Sequence, residues 1–216
     1  MTFSILTIIL IGTVLVSLSA FNNSKLRDDM MYIPYDVKHN KNYKRIFTHI
    51  LIHSDYMHLA FNMMSLYFLG SLFLDTPCHT YLGRDCGLIQ SYGEFQGQLH
   101  FLILYVFGGL FAALIPYLRN QDNPNYRSLG ASGAVSAVIF AAILWNPSMN
   151  LYLFFIPIGI PAYIFGPLYL AFEYYSHKKG NSGIAHDAHI GGALFGIVYV
   201  LIINIDKGKE FLNYFV

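Results

Sequence analysis

The sequence predicts an all-α membrane protein, a bundle of six transmembrane helices, and two observations carry that prediction. Of 216 residues, 55% are hydrophobic and only 12% are charged, about half the charge usual in a soluble domain. The apolar residues also gather in runs of about fifteen to about twenty-three, long enough to cross or nearly cross a bilayer as helices. The net charge of +1 lacks the basic excess of a nucleic-acid binder. No low-complexity tract, no repeat of twenty to fifty residues and no extended soluble domain interrupts the pattern. Residues 1–216 therefore read as one transmembrane domain.

The first run, Thr2–Ala20, ends in Ser17-Leu18-Ser19-Ala20 as a signal peptide can, but it lacks the basic start of one and is read as a spanning helix. The polar stretch between Asn22 and Tyr56 is the longest loop. Helices follow over His58–Leu74 and Leu99–Leu118. The fourth, Ala131–Trp145, is stopped by Asn146-Pro147 and spans roughly 22 Å at 1.5 Å per residue, against a hydrocarbon core roughly 30 Å thick. So short a helix starts below the membrane surface, which sets Ser132 several ångströms deep at a helix N-terminus. The fifth, Leu151–Phe172, carries Pro157, Gly159, Pro161, Gly166 and Pro167 and is the most breakable. The sixth is Ile190–Ile205.

Polar groups in lipid cost free energy unless they have a partner or a task, so Ser132 and His189 stand out. Ser132 lies in Gly130-Ala131-Ser132-Gly133, where the free N–H groups of a helix start favour an anion. His189 lies in Ala188-His189-Ile190-Gly191-Gly192, with Gly192 and Gly196 on its helix face. Glycines on that face allow the close helix contact that a short histidine side chain needs to reach Ser132. Together the two residues make a nucleophile and a base. The plainer reading, a small-residue packing face of Gly130, Gly133, Ala134, Ser136 and Ala137, is compatible with this. His58 and Asn62, four apart, share a helix face and both donate hydrogen bonds; they suit an oxyanion or serve as glue between helices. Asp187, two residues before His189, points elsewhere on a helix, so the expectation is a Ser–His dyad with no acidic third member.

These motifs, in this order over six apolar runs, resemble the rhomboid family of intramembrane serine proteases. The resemblance rests on the Arg45-to-Asn62 loop-and-helix pattern, on Gly130-x-Ser132-Gly133, and on Ala188-His189-x-x-Gly192 with Gly196. Phe47 to Gly70 looks most like the bacterial branch. The resemblance implies a rhomboid-like six-helix bundle in a bacterial inner (plasma) membrane that cleaves transmembrane segments of membrane-protein substrates. It implies Ser132 as nucleophile and His189 as base, with His58, Asn62, Gly130 and the Ser132 N–H around the oxyanion. Arg45 would anchor the first loop, His53 would be a structural histidine, and Gly133, Gly192 and Gly196 would support the helix contact. No metal and no cofactor is implied, and the lipid bilayer and the substrate are the expected partners; the oligomeric state is open. The sequence departs from the family pattern at Lys44, where a tryptophan is usual, and at Ser136, where many relatives carry an aromatic residue.

The family topology puts the N-terminus in the cytoplasm and the catalytic mouth outside. Of the 13 Lys and Arg residues, only Arg84, Lys207 and Lys209 would then lie inside, contrary to the positive-inside tendency. Cys78 and Cys86 would be free thiols in a cytoplasmic loop and a plausible disulfide in an outer one. The family orientation is retained as the expectation. Two other functions compete with the protease: an inactive rhomboid-like adaptor in membrane-protein binding or quality control, and a transporter using His58 and His189 as a relay. Ser132 and His189 together disfavour the first; the lack of an inverted repeat or broken-helix pair disfavours the second. No H-E-x-x-H zinc motif or intramembrane aspartate pair points to another protease class. The fifth run, as the most breakable, is the expected gate for lateral entry.

Overall fold

The computed structural model describes residues 4–78, 86–152, 158–179 and 185–215; Arg84 and Pro157 lie outside them. The first apolar run forms α1 (Ile5–Phe21). The long first loop is itself folded. It contains α2 (Ser24–Met30), capped by the Asn23 side chain on the Leu26 N–H, α3 (Pro34–His39), α4 (Arg45–Thr48) and a 3-10 turn at His49–Leu51. Asp55 caps α5 (Tyr56–Asp75) through the His58 N–H. A short α6 (Leu88–Tyr92) precedes α7 (Glu94–Asn120), which is 27 residues long.

The fourth run forms α8 (Ser132–Trp145). Its 14 residues span roughly 21 Å, and all but Ser132 and Ile139 are buried, so it is the axis around which the other helices pack. Its chief neighbours are α10 (His186–Ile203), α7 and α5. A short α11 (Asp206–Leu212) closes the chain beneath α8.

The fifth run departs from expectation at both ends. Asn150–Tyr152 (β1) and Gly159–Pro161 (β2) pair as an antiparallel hairpin, Leu151 opposite Ile160. The helix α9 starts only at Ala162 and continues to Lys179. Pro161 and Gly159 resist helical backbone, whereas the helix runs on through Glu173 because that charge is paired, as described below.

Among the described residues three helices, α5, α7 and α10, are long and apolar enough to cross a membrane; α1 and α8 are shorter apolar helices. Cys78 and Cys86 form a disulfide, contrary to the free thiols expected from a cytoplasmic loop. The Cys86 carbonyl accepts a hydrogen bond from Trp145 Nε1 at 2.8 Å, which fixes this disulfide at the end of α8 opposite Ser132.

Glycines set the distance between α8 and α10. A Cβ on Gly192 would lie 2.0 Å from the Gly133 carbonyl oxygen, and one on Gly196 would lie 2.1 Å from that of Ala137. Both obstacles are backbone, which cannot rotate away. Gly12 in α1 has nothing within 4 Å of the same position. Gly196→Ala is therefore expected to destabilise the fold by about 1–3 kcal/mol or more, and Gly12→Ala to be neutral or slightly stabilising. Thermal unfolding in detergent checks the pair; equal effects would remove the special status of the α8–α10 contact.

Candidate active site

Ser132 opens α8 and His189 lies in the first turn of α10. The closeness that the glycines permit brings Ser132 Oγ to 2.8 Å from His189 Nε2. As the first residues of a helix, Ser132 and Gly133 have N–H groups without an intrahelical acceptor.

The turn before Ser132 is fixed from behind. Gly130 has φ +124°, and a Cβ there would meet His58 Cε1 at 2.7 Å, so glycine is required both by conformation and by the ring packed on it. Its N–H donates to the His49 carbonyl at 3.0 Å. His53, wholly buried, accepts from the Ala131 N–H at Nε2 (3.4 Å). Its Nδ1 lies 3.0 Å from Ser17 Oγ, whose hydroxyl donates to the Leu51 carbonyl. That pattern assigns the proton to Nδ1. Burial first, and His58 second, push the His53 pKa down from 6.5 to about 3, consistent with a neutral ring. Arg45 spans the first loop, donating to the Asp28 and Met31 carbonyls at 2.6 and 2.7 Å and pairing with Asp36 at 3.1 Å. The expected structural roles of Arg45 and His53 thus have matching contacts.

The two anticipated oxyanion donors are differently placed. His58 faces Gly130 and its Nδ1 lies 3.0 Å from Ser54 Oγ, while the Ser54 hydroxyl donates to Asp55. In that arrangement Nδ1 carries the proton, and His58 presents a hydrogen-bond donor at Nε2 only when doubly protonated or when the Ser54 hydroxyl rotates to donate to Nδ1. Asn62 is buried and donates from Nδ2 to the His58 carbonyl of its own helix at 2.8 Å. It lines the cavity but spends one donor inside α5.

The sequence reading missed an acidic partner. Glu173, on α9, is 3% exposed. Its Oε1 lies 3.1 Å from His189 Nδ1 and its Oε2 lies 2.6 Å from His186 Nδ1. The expectation of no acidic third member is therefore corrected. Asp187 is, as expected, turned away, accepting from the Ala188 N–H. Glu173 escaped notice because its charge marked the end of the fifth apolar run; a lone glutamate between Phe172 and Tyr174 in a lipid-facing helix was the available signal. Tyr169, one turn earlier, lies beside both Glu173 and Ser136. Donor atoms of Glu173, His186 and His189 lie within 4.8 Å of one another, the spacing of a possible metal site. The direct carboxylate–imidazole contacts instead fit shared protons.

Ser132, His189, His186, His58 and Asn62 line a cavity of about 1660 Å³ that also borders Phe61, Phe68 and Leu72 of α5 and Phe165 and Tyr169 of α9. It has a polar end at Ser132 and an apolar extension between α5 and α9. A rhomboid-domain family model matches residues 40–205. The chain belongs to the rhomboid family. It is 32% identical over 173 residues to RHOMBOID-like protein 12, mitochondrial, of Arabidopsis thaliana, covering 76% of this chain and 47% of that protein. It is 30% identical over 115 residues to the human presenilin-associated rhomboid-like protein, mitochondrial (48% of this chain, 28% of the relative). It is 25% identical over 167 residues to rhomboid protease GluP of Bacillus subtilis (77% and 27%). The chain spans less than half the length of each of these rhomboid relatives.

Two buried histidines of the first loop predict how stability depends on pH. Burial lowers the His49 pKa from 6.5 to about 4, against the opposing effect of its bond to the Arg45 carbonyl, and His53 falls to about 3. Both folded values are depressed, so the stabilisation is complete above pH 6.5 and is lost as pH falls towards 4 and then 3. Denaturation midpoints measured from pH 8 to 4 are expected to drop below pH 6.5, and His53→Gln is expected to flatten the drop. A midpoint independent of pH across that range would refute this.

Proposed function

We propose that this rhomboid is an intramembrane serine protease acting through Ser132 and His189. The observation that carries the reading is the 2.8 Å contact between Ser132 Oγ and His189 Nε2, at the polar end of a cavity with apolar walls. The Ser132 hydroxyl passes its proton to His189 Nε2 as Oγ attacks the scissile carbonyl. The oxyanion forms against the Ser132 N–H at the start of α8, with His58 alongside. The imidazolium of His189 returns the proton to the leaving amine, and a water repeats the sequence to release the acyl group. A helical substrate cannot present an extended backbone, so segments that unwind easily beside the cut are the preferred class. They enter between α5 and α9, α9 being the gate.

In this reading α1, α5, α7, α8, α9 and α10 are the six spanning helices. The bacterial plasma membrane rests on the resemblance of Phe47–Gly70 alone, and two of the three relatives named above are mitochondrial. The orientation is the reverse of the one expected from resemblance. The Cys78–Cys86 disulfide belongs in an oxidising compartment, and the basic residues concentrated at the mouth belong on the cytoplasmic or matrix side. The mouth therefore faces the reducing side.

Two experiments follow. Fluorophosphonate labelling is expected for the wild type and abolished by Ser132→Ala and by His189→Ala; a folded wild type that does not label would turn the reading to an inactive adaptor. For orientation, spheroplasts expressing the protein are mildly reduced and given an impermeant maleimide. Cys78 and Cys86 are expected to react from the periplasmic side, and reaction only after lysis would restore the family orientation.

A further inference from the structure

Glu173 is one of only three buried residues that α9 contributes, the others being Ala162 and Gly166. A carboxylate removed from water costs several kcal/mol unless it is paired and hydrogen-bonded. Among the described residues neither oxygen meets a lysine or an arginine; each meets an imidazole of α10. His186 and His189 are three apart, so one turn of one helix face presents both rings to one carboxylate.

Resting on the protease reading, we propose that Glu173 is the positioning residue for His189, braced by His186, so that the hydrolytic machinery is a Ser132–His189–Glu173 triad. For Nε2 to accept the serine proton, the resting imidazole must carry its own proton on Nδ1. A carboxylate oxygen 3.1 Å from Nδ1 selects that tautomer, fixes the ring plane and stabilises the imidazolium that forms on attack. The second oxygen, held by His186 at 2.6 Å, keeps the carboxylate from turning away. No proton leaves Glu173 in this scheme. Because Glu173 rides on α9, moving α9 away from α10 to admit a substrate takes the carboxylate with it, and the triad reforms when α9 returns.

A purely structural Glu173, tying α9 to α10, makes a different prediction, and kinetics separate the two. The groups facing His189 are Ser132 from α8, His58 from α5, Glu173 from α9 and His186 on its own helix; Asp187 is turned to the Ala188 N–H, and Arg119 of α7 and His177 of α9 lie at the cavity rim. Cleavage of a transmembrane reporter by wild type, Glu173→Gln and Glu173→Asp is measured from pH 5 to 9 in proteoliposomes. Glu173→Gln is expected to lower kcat about a hundredfold or more with KM little changed, and to move the acid limb of the profile to lower pH, since the imidazolium loses the carboxylate at its Nδ1. Glu173→Asp, a charged but shorter side chain, is expected to recover part of the rate and the wild-type acid limb. If Glu173→Gln unfolds, Glu173→Asp is read by kcat instead: a fall of about tenfold or more with KM little changed supports the positioning role, and an unchanged kcat overturns it. Unchanged kcat and acid limb in Glu173→Gln would overturn the proposal while leaving the protease reading intact, because Ser132→Ala in the same assay tests that reading separately. Loss of wild-type activity on treatment with EDTA would also overturn it, in favour of a metal held by the same three residues.

Discussion

The backbone-to-backbone approach of α8 and α10 is the constraint on which the rest of the molecule depends. Lipid gives helices little hydrophobic reason to associate, so van der Waals contact at short range does most of the work. Gly192 over the Gly133 carbonyl and Gly196 over that of Ala137 make that contact shorter than any other residue allows. The 2.8 Å Ser132–His189 distance is its consequence, since the two side chains branch from the same end of the same helix pair. A shift of about an ångström between the helices breaks the bond.

A second constraint holds the nucleophile turn against the first loop. Tyr32 and Ser128 form an isolated antiparallel bridge, and the Gly130 N–H reaches the His49 carbonyl. The Ala131 N–H reaches the neutral ring of His53. Arg45 in turn ties α4 to the Asp28 and Met31 carbonyls at the C-terminal end of α2. The chain from Asn22 to Tyr56, which composition alone marks as a polar connection, is thus the scaffold that presents Ser132. Arg45, His49 and Thr48 each bond a backbone carbonyl of this segment.

What could be read in the sequence was local. Ser132 at a helix start, His189 with glycines on its face, and a short fourth helix all follow from spacing within a few residues, and spacing is a property of one helix. The bundle adds relations between helices, and those were missed. Glu173 lies sixteen residues before His189, across a connection whose path the sequence does not reveal, and its charge reads as the end of an apolar run rather than as half of a pair. The pairing of Asn150–Tyr152 with Gly159–Pro161 was hidden for a similar reason: Leu151 is apolar and reads as helix until Ile160 is seen to pair with it. Asn62 shows the converse. Its i, i+4 relation to His58 was legible, but the same spacing lets its amide bond back to the His58 carbonyl, and the sequence cannot say which of the two partners wins.

The position of Glu173 also explains why α9 can be both loosely seated and specific. Its remaining buried residues, Ala162 and Gly166, are small, and Phe165, Tyr169 and Leu170 are only partly buried against the core. A buried ion pair adds little net stability when its desolvation is counted, but leaving one member unpaired is costly. The Glu173–His186–His189 cluster therefore acts less as an adhesive than as a register pin: α9 has one position in which its carboxylate is satisfied, and every other position exposes the charge to lipid or requires water. The cavity between α5 and α9 is lined by His186 and His189 of the same cluster. The seated position of α9 is the one in which the His189 ring is held between Glu173 and Ser132.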